Sequence, residues 1–260
     1  MIKFADSHCH LCYEGLVEDI PKVIERMTEA DVDLALNVCT TIEESAFVLE
    51  VAKNYELVFA SVGVHPDSTN IFEPSVEDLV EKSNHKKIVA IGETGLDYFR
   101  IKDNLDWQRD RFRVHIRAAI ACNKPLIIHT RDAPEDTIRI LREEKAEKVG
   151  GVLHCFTESL EMAKMAIDLN FLISLSGIVT FKNAHQVQKV AKEISLENLM
   201  IETDSPFLAP VPFRGKTNEP SYVVQVARKI SEIKGESVET VAKITRKNFI
   251  SFINMSSELS

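Results

Sequence analysis

No apolar run in this 260-residue chain approaches the ~20 residues needed to cross a bilayer, so no membrane span is expected. The opening MIKFADSHCHL lacks a basic stretch followed by an apolar core, and no secretory signal is expected from it. Cysteine is sparse. Cys9, Cys12, Cys39, Cys122 and Cys155 are odd in number, and the single CxxC spacing, at Cys9 and Cys12, has no second pair. A disulfide framework and a zinc ribbon are both poor fits, and reduced thiols in the cytoplasm fit better. The chain has no GxGxxG, no GxxxxGK followed by Ser or Thr, and no GxSxG, which removes dinucleotide, P-loop and serine-hydrolase readings. Excess positive charge is missing as well. A net charge of −9 argues against a broad electrostatic surface for nucleic acid. A local site is still open to an anionic substrate, because bound divalent cations reverse the sign there. With no Ser/Gly linker, low-complexity stretch or charge block, residues 1–260 read as one domain.

What the chain does have is regular alternation. Short apolar, strand-like runs fall at residues 2–7, 34–39, 58–64, 88–93, 126–129, 151–155, 171–175 and 199–204. Helical patterns fill the gaps at 18–30, 42–54, 75–83, 105–122, 134–144, 159–168 and 185–193, and two more follow at 222–234 and 237–252. Strand alternating with helix is the mark of a parallel sheet. Eight strands close most simply into a (β/α)₈ TIM barrel, and a 260-residue chain suits one such barrel. An open doubly wound sheet is the alternative. The barrel is preferred because chemically useful residues come from both the first and the last strand. The last two helices are expected to cover the final strand and the barrel bottom.

Those useful residues sit at strand ends. His8 and His10 form an HxH pair whose side chains share one side of a strand, with Cys9 facing away and Asp6 placed either to orient a ring or simply to cap the strand. Glu93 closes a buried apolar run, where a lone carboxylate is costly unless a cation or an arginine compensates it. A carboxylate can bridge two cations through its two oxygens. His129 and His154 each end an apolar strand, and in neighbouring strands they would stand side by side. Asp204 ends the last strand, as a ligand and proton acceptor or as a cap for the following Ser205-Pro206 turn. Glu202 shares its period-two phase and can support the site. His65 fits substrate contact or proton transfer. Arg131 can grip a phosphate or pair with Asp132. Arg214 and Lys216 lie in a Pro-rich loop after the eighth strand, a common phosphate-contact location in such barrels. His85, His115 and His185 read as structural or surface residues.

Taken together, these segments resemble the TatD family of metal-dependent deoxyribonucleases. The likeness rests on Asp6-Ser7-His8-Cys9-His10-Leu11, Gly63-Val64-His65-Pro66, Gly92-Glu93-Thr94-Gly95-Leu96-Asp97-Tyr98 and His129-Thr130-Arg131-Asp132-Ala133. It continues through His154-Cys155-Phe156, Ser176-Gly177-Ile178-Val179-Thr180-Phe181-Lys182, Glu202-Thr203-Asp204-Ser205-Pro206 and Arg214-Gly215-Lys216-Thr217-Asn218-Glu219-Pro220. The resemblance implies a TIM barrel and two divalent metal cations, with Mg, Mn or Zn all acceptable to such donors. One metal would take His8, His10, Glu93 and Asp204; the other would share Glu93 and add His129 and His154. It implies hydrolysis of DNA phosphodiesters, trimming single strands from the 3′ side, through water activated by the metal pair. Asp204 and Glu93 would be catalytic together with His65, and Arg131, Arg214, Lys216 and Tyr98 would contact a DNA substrate. The protein is expected to be cytoplasmic, monomeric and free of any membrane. Hydrolysis of an amide, lactone or ester is the runner-up, weakened because the fourth strand offers Glu93 and no bridging lysine. Release of D-amino acids from transfer RNA is a nearby variant, and a non-enzymatic interaction protein would have lost a ligand, which this chain has not.

Overall fold

The computed structural model describes residues 2–102 and 105–254. Eight parallel strands run in sequence order around one sheet. They are β1 (Phe4–Cys9), β2 (Val32–Asn37), β3 (Val58–Val62), β4 (Ile88–Asp97), β5 (Leu126–Arg131), β6 (Gly151–Leu153), β7 (Phe171–Leu175) and β8 (Leu199–Ile201). Closure runs through backbone bonds after β8: Asp204 N–H donates to His8 O at 2.9 Å, and His10 N–H donates to Ser205 O at 2.8 Å. Asp6 reinforces the seam, its carboxylate accepting from the Thr203 N–H at 2.8 Å and from the Thr203 hydroxyl at 2.5 Å. The expected (β/α)₈ TIM barrel is therefore the observed fold. The expectation that Asp6 orients a histidine ring is corrected, because its bonds go to the Thr203 backbone and hydroxyl and to the His8 backbone N–H.

The helices are α1 (Ile20–Glu29), α2 (Ser45–Asn54), α3 (Val76–Lys82), α4 (Asp106–Cys122), α5 (Pro134–Glu143), α6 (Leu160–Ile167), α7 (His185–Glu193), α8 (Val223–Lys234) and α9 (Val238–Asn254). Their starts follow local chemistry. Asp19 accepts from the Lys22 N–H ahead of α1, and Ser159 accepts from the Met162 N–H ahead of α6. Ser75 and Asp78 form a reciprocal capping box on α3.

Alternation along the strands divides the apolar residues between two cores. One face of each strand packs under the helices. The other fills the barrel interior with Leu36, Val38, Val89, Ile127, Val152 and Met200, and Phe249, Phe252 and Ile253 of α9 join this interior group. The C-terminal helix thus plugs one end of the barrel with aromatic bulk. With that end filled by side chains, polar groups are left to gather at the C-terminal ends of the strands.

Several strand ends differ from the expected ones, and one difference matters. β4 runs on to Asp97, four residues past Glu93, because Thr94–Asp97 continue to pair with β5 after a register shift. Gly95 makes this possible. Its φ is +135°, and a Cβ there would meet the His129 carbonyl oxygen at 2.0 Å, so no larger residue fits. The extension delivers a further carboxylate to the same rim.

Candidate metal centre

The strands deliver their polar ends to one point. His8 and His10 leave β1 on the same side, with their Nε2 atoms 3.2 Å apart. Glu93 Oε2 lies 3.2 Å from His8 Nε2 and 3.9 Å from His10 Nε2. Asp204 Oδ1, carried past β8 by a residue with φ of +57°, lies 3.8 and 3.4 Å from the same two nitrogens. Ligands about 2.1 Å from a zinc-sized ion at tetrahedral angles sit about 3.4 Å from one another. These spacings match that edge length.

The other carboxylate oxygen of Glu93 faces a second group. Oε1 lies 2.7 Å from His154 Nε2, 3.1 Å from His129 Nδ1 and 3.3 Å from His65 Nε2. The expected second set, Glu93 with His129 and His154, is brought together, and His65 stands beside it as a third imidazole. His65, Glu93 and His129 form one potential ligand triplet; His8, His10 and Asp204 form another.

Outer contacts aim several of these rings. The far nitrogen of His129 faces Asp97 Oδ2 at 3.0 Å, and His154 Nδ1 faces Glu202 Oε1 at 3.3 Å. Glu202 also accepts from the Cys155 N–H at 2.8 Å. His10 Nδ1 faces the Val38 carbonyl at 3.2 Å, which leaves Nε2 for the centre. His65 Nδ1 is held by Asp67, which is gripped in turn by Arg100. A carboxylate or carbonyl behind each of these rings is the pattern that fixes the tautomer of a metal-binding imidazole.

Electrostatics points the same way. Burial pushes the Glu93 carboxyl upward, but the His154 and His65 charges and the imidazole contacts outweigh it and hold it well below the usual range. Asp204 is likewise raised by burial and lowered more by His10, His8 and His154. Burial and the neighbouring His154 depress His8, which keeps that ring neutral and able to donate a lone pair. His154 Nε2 is buried and has no hydrogen bond, despite the Glu93 oxygen nearby. An orphaned imidazole nitrogen beside the Glu93 carboxylate, on a ring that stacks on His8 and lies near His129, fits a divalent cation well.

The centre opens into a cavity of about 490 Å³, lined among others by His10, His129, Arg131, His154, Asp204 and Phe207. The Arg131 guanidinium carbon lies over the Phe99 ring, 3.8 Å from its centre. Tyr98, Arg214 and Lys216, expected to contact the substrate, do not line this cavity. Tyr98 is drawn away because its hydroxyl donates to Asp136 at 2.6 Å and accepts from Arg109. Arg214 covers Phe181 and donates to the Ala209 carbonyl, while Lys216 stands over Phe213. Asp97 and Asp67 were missed in the sequence. Asp97 shares the period-two phase of Glu93, a usable signal once β4 is known to continue. Asp67 follows His65 by two residues but sits in a loop without periodicity.

A family model described as TatD related DNase matches residues 5–254. The uncharacterized metal-dependent hydrolase YcfH of Escherichia coli (strain K12) is 46% identical over 248 residues, covering 94% of this chain and 93% of its own length. The uncharacterized metal-dependent hydrolase YabD of Bacillus subtilis (strain 168) is 45% identical over 244 residues, covering 94% of this chain and 96% of its own. Among solved structures, YjjV, a TatD homolog from Escherichia coli K12, superposes with a TM-score of 0.91 at 27% identity, over 96% of this chain and 98% of the other.

Proposed function

The chain belongs to the TatD-related DNase family, and from that premise we propose that it is a metal-dependent hydrolase of DNA phosphodiesters that trims single strands from the 3′ end. The observation that carries this reading is the split of Glu93. One buried carboxylate turns Oε2 to His8 and His10 and Oε1 to His129, His154 and His65. A carboxylate so placed would be able to hold two divalent cations, one with each group of ligands.

Cations bound there would lower the pKa of a water and draw charge from the phosphate oxygens. The chain's own residues supply the rest. Asp204 stays ionised and borders the cavity, so its carboxylate can take the proton of the attacking water. Arg131 lines the cavity with its guanidinium 3.8 Å from the Phe99 ring centre, a position from which it can meet a phosphate oxygen. His65, fixed between Asp67 and Glu93, is placed to hand a proton to the leaving oxygen. The cavity volume falls in the range of small-ligand sites, which suits one terminal nucleotide with its phosphate. The net charge of −9 is compatible with such a substrate because the cationic groups are local.

The test is a time course on a 5′-labelled single-stranded oligonucleotide with Mg²⁺, Mn²⁺ or Zn²⁺, resolved on a denaturing gel. The expected product is a ladder shortened one nucleotide at a time from the 3′ end, abolished in Glu93→Ala. Intact DNA under every metal, or an undiminished ladder from the Ala variant, contradicts the reading.

A further inference from the structure

The phosphodiesterase reading leaves Phe207, at the mouth of the cavity, unused. Phe207 is 51% exposed, and among the described residues it alone of the exposed large apolar side chains lines the cavity; Phe47, Phe72, Phe99, Met165 and Val211 do not. A solitary exposed phenyl ring is ordinary on a protein surface. This one differs in its neighbours. Tyr13 stacks on the ring of His10, with centroids 4.7 Å apart and planes at 17°. Phe207 then meets Tyr13 edge-on at 6.1 Å and His10 at 6.5 Å. A run of three rings therefore leads from a metal-ligand imidazole outward to solvent.

The outermost ring is also held firmly. The Phe207 N–H donates to Asp204 O at 3.0 Å, and its carbonyl accepts from Asn218 Nδ2 at 2.5 Å. Asn218 is buried and ties the same turn to the Thr203 carbonyl at 2.9 Å. Tyr13, beneath, is fixed by its hydroxyl bond to Thr40 at 2.6 Å. The phenyl face is thus presented on a braced turn, three residues from a candidate metal ligand, and it costs little entropy to use.

We propose that Phe207 is a stacking platform for the nucleobase attached to the phosphate held in the cavity, and so a substrate-positioning residue. The inference deepens the phosphodiesterase reading and rests on it for the position of the phosphate. Base-on-aromatic stacking tolerates any base, because each has a π-face. The platform would favour an unpaired terminal nucleotide, whose base is free to leave its own strand.

The test is titration calorimetry on the Mn²⁺-loaded protein with two ligands that differ only in the base: 2′-deoxyadenosine 5′-monophosphate and 2-deoxyribose 5-phosphate. The wild type is expected to bind the nucleotide about 10-fold more tightly. Phe207→Ala and Phe207→Leu should both bring the nucleotide down to the sugar phosphate's affinity while leaving the sugar phosphate unchanged. Phe207→Tyr should keep the preference. A full base preference in the Ala or Leu variant, equal binding of both ligands by the wild type, or binding of neither overturns the proposal. A gel assay on the same preparations separates it from the parent reading. Uncleaved DNA with a Phe207-dependent base preference sinks phosphodiester cleavage alone, and cleaved DNA without that preference sinks the platform alone.

Discussion

His115 ties the pH dependence of the fold to the geometry of the site. It is fully buried on α4, and burial pushes its pKa down from 6.5 to about 4. The Val64 N–H donates to His115 Nε2 at 3.0 Å, so Nδ1 must carry the proton that goes to the Arg111 carbonyl at 2.8 Å. Protonation would set an N–H against the Val64 N–H, one residue from His65. In the unfolded chain this group takes up a proton near 6.5, and in the folded chain only near 4, so the unfolded state binds more protons between those values. Stability is then fully present above the unfolded value and is lost as the pH falls through the window. At about 1.36 kcal/mol per pH unit, the gap between 6.5 and about 4 amounts to about 3 kcal/mol in all, of which about 2 kcal/mol disappears between pH 7 and pH 5. The assay is urea unfolding in EDTA at both pH values, for the wild type and for His115→Gln, which cannot titrate. The wild type should lose about 2 kcal/mol more than the variant over that interval. Stability curves that stay parallel from pH 7 to pH 5 refute the reasoning.

Other expectations follow from the contacts around the metal ligands. Glu202→Gln weakens the support behind His154 and should lower Mn²⁺ affinity, read by calorimetry, by about 10- to 100-fold; unchanged affinity would separate Glu202 from the metal. Asp97→Asn should act similarly through His129, with circular dichroism unchanged, and a loss of fold in its place would make Asp97 a structural residue. Arg131→Ala should reduce kcat/KM on a single-stranded oligonucleotide by about 10- to 100-fold, since a charged hydrogen bond to phosphate is lost, and should leave metal affinity intact. Dialysis against a chelator should abolish hydrolysis, with recovery on adding back a divalent cation; activity that survives exhaustive chelation would exclude a metal-dependent reaction.

The barrel was legible because its signal is repeated. Each apolar run is bounded by a helical pattern, and an error of a few residues at one end does not alter the count. The ligand set was legible for a related reason. A His or carboxylate at the end of a buried run must be compensated, and runs that end in such groups converge once the sheet is closed. What stayed hidden depends on backbone and side-chain detail. The continuation of β4 to Asp97 lies past the end of the apolar run at Glu93, where Gly95 lets the strand pass the His129 carbonyl. Asp6 looked like a support for the rings, but its carboxylate closes the barrel onto Thr203. Tyr98, Arg214 and Lys216 lie close in sequence to the site, yet Asp136, Phe181 and Phe213 draw their side chains elsewhere. Sequence proximity places a Cα and leaves long side chains free to choose partners.

The bridging carboxylate is tested most directly by anomalous diffraction from crystals soaked in Mn²⁺. Two peaks should flank Glu93, one bounded by His8, His10 and Asp204, the other by His129 and His154. A single peak, or peaks remote from both Glu93 oxygens, would contradict the two-cation centre.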